Sequence, residues 1–388
     1  MFPDFNIHST PLLILVIQGV LFAVLLLWRY TRTGNSADLI VGVLLLIIAY
    51  DQITYTVGFM GWYTTFKNTK INYYLIPVGL IMGPLIYLYV RSLTIAPFKL
   101  RTQDWWHVLP FGLLFVWRVI LLAHDSMQPG WDEGYSGEWK ANIHEVYLDP
   151  FLAFLGYISK VIYLSFAIQL FIQYNSRIRQ YFSNLYRIEL RWLRNFLVLY
   201  VLLFTYGLGV DIVDSYITNL DYIHRWWTQL FFSIAIVYVG IKAYFTDMDG
   251  LYTLTMDVPT QTVRPVQNVS TSYDRQVKRI QDHMVSSEAY LNPEYSLKDL
   301  SSDTGLSTHD TSEAINNGIG VNFNEFINSY RVERVKTYLQ DDSMSHLSLV
   351  AIALESGFNS KATFNRVFKR LTDQSPSEYR ASLGPEAS

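Results

Sequence analysis

Residues 352–380 read IALESGFNSKATFNRVFKRLTDQSPSEYR. A short apolar run breaks at Gly357 and restarts after Ser360, which has the side chain of a helix N-cap. Beyond it Phe364 and Phe368 stand four apart, the spacing of a stripe buried on one helix face, while Lys361, Arg366, Lys369 and Arg370 fall off that stripe. The pattern is helix, glycine turn, helix. The same pattern stands about fifty residues earlier, in SLKDLSSDTGLS (296–307), where Leu297, Leu300 and Leu306 supply a small core, Gly305 the turn and Ser307 the cap. A longer amphipathic segment, 323–340, joins the two.

Two helix-turn-helix units, over 294–323 and 343–380, on one connecting helix can enter successive major grooves of a duplex. The blocks YLNPEYSLKDLS (290–301), NFNEFINSYRVERVK (322–336) and above all 352–380, with Gly357-Phe358, Phe364, Phe368-Lys369, Ser375-Pro376 and Tyr379-Arg380, resemble the DNA-binding domain of the AraC/XylS family of transcription regulators. That resemblance covers the last quarter of the chain. It implies double-stranded operator DNA as partner, RNA polymerase as a further one, and Lys361, Ala362, Thr363 and Arg366 as the base-facing positions. Ser360 begins the helix, Asn365 lies on its charged side, Arg366 suits the O6/N7 edge of guanine, and Lys369 or Arg370 suits phosphate. The first unit departs from the family pattern. Asp310 and Glu313 stand where relatives carry neutral or basic groups, Thr311 replaces a usual buried leucine, and only His309 and Ser312 remain as base contacts. Across 294–323 the acids Glu294, Asp299, Asp303, Asp310 and Glu313 face Lys298 alone, so the electrostatic attraction for DNA has to come from the second unit.

Everything before residue 246 has another character. A bilayer core of about 30 Å takes about 20 apolar residues in a helix, and seven segments qualify: 12–30, 38–59, 73–93, 105–123, 150–174, 193–217 and 226–245. Aromatic pairs at their edges, Trp62-Tyr63, Tyr73-Tyr74, Trp105-Trp106 and Trp226-Trp227, suit the headgroup level. The connections after spans one, three and five hold Arg29, Arg32, Arg91, Lys99, Arg101, Arg177, Arg179, Arg187, Arg191 and Arg194 against Glu189, which makes them cytoplasmic. With an odd number of spans the amino terminus lies outside and the carboxyl terminus in the cytoplasm, in a bacterial inner membrane. The opening MFPDFNIHSTP lacks a basic region and a cleavage site, so the first apolar stretch is expected to stay as a span. The expected fold is therefore all-α: a seven-helix transmembrane bundle (1–245), a Thr/Val/Asp/Pro-rich linker (246–272) and a soluble double helix-turn-helix domain (273–388). This layout also resembles that of membrane-bound members of the same family.

Ionisable groups inside spans are costly, about 2.5–3.5 kcal/mol each, and so point to function. Here they are Asp51, Arg118, Lys160 and Asp211, with Asp214 nearer the surface and Tyr55, Tyr157, Tyr163 and Tyr206 close by. Residue counting puts the four at similar depth, either as a pocket for a small polar ligand or as an ion-pair network locking the bundle. The chain has no cysteine, which excludes disulfides, thiol catalysis and zinc-thiolate sites. His124, His144 and His224 fit no metal-ligand spacing, and no phosphate loop or nucleophile elbow is present. No cofactor, metal or catalytic group is expected. Tyr273, Val277, Ile280 and Met284 repeat at a 4-3-4 spacing that suits either a coiled coil in a homodimer or packing on their own domain. The composite reading is a membrane-embedded, one-component transcription regulator controlled by an envelope or small-molecule signal. The alternatives are a membrane enzyme or transporter with a regulatory tail, and an inert anchor controlled by a cytoplasmic partner.

Overall fold

The computed structural model describes residues 2–65, 78–95, 98–129, 131, 137–185, 188–246, 273–344 and 346–383. Among them the regular elements are all helical, and the one β-type pairing is an isolated bridge between Phe182 and Ser296. The chain forms two compact units, Met1–Ile172 with Arg191–Asp249, and Gln173–Leu190 with Gly250–Ser388.

The first unit contains α1 (Ser9–Thr33), α2 (Ser36–Phe59), α3 (Met82–Thr94), α4 (Leu109–Ser126), most of α5 (Asp149–Tyr181), α6 (Arg191–Tyr216) and α7 (Trp226–Tyr244). Six of these, all but α3, are long and apolar enough to cross a membrane. The third expected span, 73–93, is thus not a full span among the described residues. Residues 73–77 lie outside them, and α3 has 13 residues, about 20 Å of helix against the ~30 Å of a bilayer core. The fourth begins later than expected. Trp105 and Trp106 sit exposed in a 3-10 turn, and α4 starts at Leu109 with Pro110 in its first turn, where a missing N–H costs nothing. The last span ends one residue early, and the expected linker lies outside the described residues from 247 on.

Small residues let the helices of this unit approach. A Cβ on Gly19 of α1 would stand 2.8 Å from Ile236 of α7, and one on Gly240 of α7 would stand 2.8 Å from Phe22 of α1. At one end Arg29 binds Asp38 in the first turn of α2 (2.6 Å) and donates to the carbonyls of Ala243 (3.0 Å) and Tyr244 (2.5 Å), where the last turn of α7 favours a cation. In the interior Gln52 donates to Gln229 (2.7 Å) and accepts from Ser233 (3.1 Å), a polar contact that a search for charges alone overlooks. Outward faces stay apolar, as Ile14, Ile17, Leu21 and Val24 on α1 show.

The second unit carries α8 (Asp274–Ser287), α9 (Leu297–Thr304), α10 (Thr308–Glu313), α11 (Phe323–Gln340), α12 (Leu349–Glu355), α13 (Lys361–Thr372) and α14 (Pro376–Ser382), and it also gathers residues Gln173–Leu190. It has two cores joined by α11. Phe323, Phe326 and Ile327 enter the first with Leu297, Leu300 and Ile315, while Val332, Val335 and Leu339 enter the second with Ile352, Phe358, Phe364 and Phe368. One helix thus feeds both cores and links the two helix-turn-helix units. The 4-3-4 stripe is resolved in favour of its own domain: Ile280 and Met284 are fully buried in the first core, with Tyr273 and Val277 packed against it.

Candidate nucleic-acid interface

Ser360 starts α13 by accepting from the amide of Thr363 (3.2 Å), and its extended backbone turns the chain into the helix. Phe364, Val367 and Phe368 hold the helix down, with Phe364 and Phe368 packed ring to ring and Phe368 against Tyr379. The opposite face is exposed through Lys361, Ala362, Asn365, Arg366, Lys369 and Arg370, with Thr363 half-buried. Helix α13 thus stands on its core and offers cationic and amide groups outward, the chemistry that reads base edges and phosphates.

The exposed cations have different surroundings. Arg370 is tied to Glu325 of α11 by a 2.5 Å contact, which occupies the group expected on phosphate. Arg366 lies 3.6 Å from Glu189. Arg380 donates to the carbonyl of Leu347 (3.2 Å) and closes the second unit onto itself.

The first unit is organised around polar burial. Thr311 is fully buried, and its hydroxyl accepts from Ser301 (3.0 Å) and donates to the carbonyl of Ser307 (2.9 Å). The hydroxyl thereby satisfies in hydrogen bonds a position that a leucine would fill with apolar contact. His309 is exposed on α10 with both ring nitrogens 3.8 Å from carboxylates, Asp310 and Glu313. Ser312 accepts from Asn316 (3.1 Å). Helix α10 therefore carries an exposed Asp310 and a half-buried Glu313 that accepts from the Tyr273 hydroxyl (3.3 Å).

Residues 300–382 match the helix-turn-helix domain family. Two relatives, uncharacterized HTH-type transcriptional regulators of Staphylococcus aureus strains COL and N315, are each 34% identical over 113 residues, 29% of this chain. The matched region spans 14% of the length of these curated relatives. No solved structure matches the chain.

In the first compact unit the four ionisable groups of the expected spans do not meet at one point. Lys160 interacts electrostatically with Asp51 and Asp211. Asp211 accepts from Tyr157 and lies 2.9 Å from Arg225, whose other nitrogen binds Asp214 at 2.6 Å. Arg118 instead pairs with Asp149, at 3.5 Å. Lys160, Asp211 and Arg225 line a cavity of about 170 Å³ together with Tyr55, Tyr157 and Thr228. Of the four expected tyrosines, Tyr163 bonds His107 and Tyr206 lies in another recess, so only Tyr55 and Tyr157 share this cavity. Sequence reading missed Arg225 here because it sits at the edge of a span, where it counts as a loop charge.

Proposed function

We propose that the chain is a membrane-embedded, one-component transcription regulator that binds duplex DNA sequence-specifically through α13 and answers to a small polar ligand held in the bundle. The observation that carries the DNA reading is the division of α13 into a buried Phe364/Val367/Phe368 face and an exposed face bearing Lys361, Asn365, Arg366 and Lys369. The six membrane-length helices and the apolar outward face of α1 support embedding in a bilayer, with the carboxyl-terminal domain on the side of the arginine-rich connections.

The test uses the full chain in lipid nanodiscs and a duplex library of randomised sequence. Arg366→Ala is expected to cost about 1–3 kcal/mol on the selected duplex and to relax preference at one base pair, whereas Lys369→Ala weakens binding to every sequence and lowers the salt slope by about one. Unchanged affinity in both variants would remove α13 from the interface.

The ligand reading rests on the cavity. Lys160 lies 5.5 Å above the Tyr157 ring among the residues that line the cavity, which puts a cation where an anionic or polar group would be held. Asp211→Asn leaves Arg225 paired with Asp214. The variant should therefore accumulate normally in the membrane while the transcript profile loses its response and resembles one fixed state. A normal response at normal abundance would reduce the bundle to an anchor.

A further inference from the structure

The second unit contains a segment from outside the helix-turn-helix domain. The last turns of α5 and the described part of the connection to α6, residues 173–185 and 188–190, belong to the same compact unit as the helix-turn-helix elements. The attachment is specific. Ser183, 2% exposed, donates to the carbonyl of Tyr295 (2.6 Å) and accepts from Arg331 (3.2 Å). Asn324 of α11 donates to the carbonyls of Phe182 (3.2 Å) and Ser183 (2.7 Å), and Phe182 forms an antiparallel bridge with Ser296, the cap of α9. Asn184 donates to Glu294 (3.1 Å), which also accepts from Asn359, the residue before the cap of α13. Glu189, 7% exposed, then places its carboxylate 3.6 Å from both Arg179 and Arg366.

We propose that this segment is an autoinhibitory cover that docks beside α13 and engages its reading arginine, Arg366, so that DNA binding requires its release. The proposal rests on the reading of α13 as the DNA-reading helix. A carboxylate 3.6 Å from Arg366 competes electrostatically for the guanidinium that would reach a guanine edge, and it puts negative charge where phosphates must approach. Backbone carbonyls and a buried serine fix the segment in one register, which a chance surface contact would not require. The segment is also the covalent connection between the fifth and sixth expected spans, so a change of packing in either helix acts directly on its ends. Apparent DNA affinity then falls in proportion to the uncovered fraction. The acidic exception noted among the arginine-rich connections, Glu189, acquires a role as a counter-charge shared by Arg179 and the reading arginine.

The test again uses the full chain in nanodiscs with the randomised duplex library. Because the chain has no cysteine, Asn184→Cys with Glu294→Cys can be joined by a short bismaleimide without side labelling. Joining is expected to lower affinity for selected duplexes at least tenfold relative to the same protein left unjoined, and Glu189→Gln is expected to raise it about tenfold over wild type. Equal affinity of the joined and unjoined forms overturns the cover while leaving the DNA reading intact. If wild type, Glu189→Gln and the unjoined variant all retain no duplex, the reading of α13 itself fails and the cover falls with it.

Discussion

Replacing Gly357 by alanine is expected to unfold the second helix-turn-helix unit and abolish DNA binding, although residue 357 would touch no DNA. Gly357 has φ +87°, and a Cβ built there stands 2.5 Å from the carbonyl oxygen of Tyr290 and 3.0 Å from both Leu291 Cα and Arg331 Nε. The left-handed backbone alone costs a residue with a side chain about 1–2 kcal/mol. The contact adds overpacking, typically about 1–3 kcal/mol, against backbone that cannot swing aside. Against a domain stability of about 5–15 kcal/mol the sum is large. Hydrogen exchange of the α12 and α13 amides reads the effect locally, and protection should collapse there first. Gly357→Asn separates the causes: asparagine tolerates the left-handed region but carries the same Cβ, so it should rescue little. Full rescue by asparagine would mean that the clash is relieved by movement of Tyr290.

That glycine also shows what a sequence can and cannot disclose. Gly357, Ser360 and the Phe364/Phe368 spacing are local signals, and the helix boundaries they imply match α12 and α13 because caps and turns are decided within a few residues. The connecting helix is likewise local, and 323–340 agrees at both ends. What lies against Gly357 is not local. Tyr290 and Arg331 come from 67 and 26 positions away, so the reason only glycine fits is invisible until the chain folds. The same holds for charge. Glu325 meets Arg370 and Glu189 meets Arg366 across long stretches of chain, and no periodicity predicts either. In the spans, counting residues gives depth but not the direction a side chain faces. Arg118 therefore shares a depth with Lys160 yet pairs with Asp149, and Arg225 joins Asp211 and Asp214 from a position that reads as loop.

Arg331 carries the second large effect. It is 2% exposed, and its guanidinium donates to the carbonyls of Tyr290 (2.7 Å) and Asn292 (2.9 Å) and to the hydroxyl of Ser183 (3.2 Å). Burial pushes it down to about 9, so it is still cationic at neutral pH. Replacing a buried ion by an apolar side chain can be neutral when its partner charge goes too. Here the partners are backbone carbonyls, which no substitution removes. Arg331→Met should strand them at about 1–3 kcal/mol each, partly offset by the desolvation no longer borne by the cation. A net loss of about 3 kcal/mol is expected from denaturant unfolding of the domain. Lysine should rescue only part of it, since one ammonium cannot replace a planar fork reaching several acceptors. The two predictions are linked through Tyr290, whose carbonyl both accepts from Arg331 and limits residue 357. Once Arg331→Met has freed that carbonyl to shift, the clash of Gly357→Ala has somewhere to relax. The double variant should then lose at least about 1 kcal/mol less than the sum of the singles, within the range of coupling seen for residues in contact. Strict additivity would show that the Tyr290 carbonyl is held by the rest of its turn rather than by the arginine.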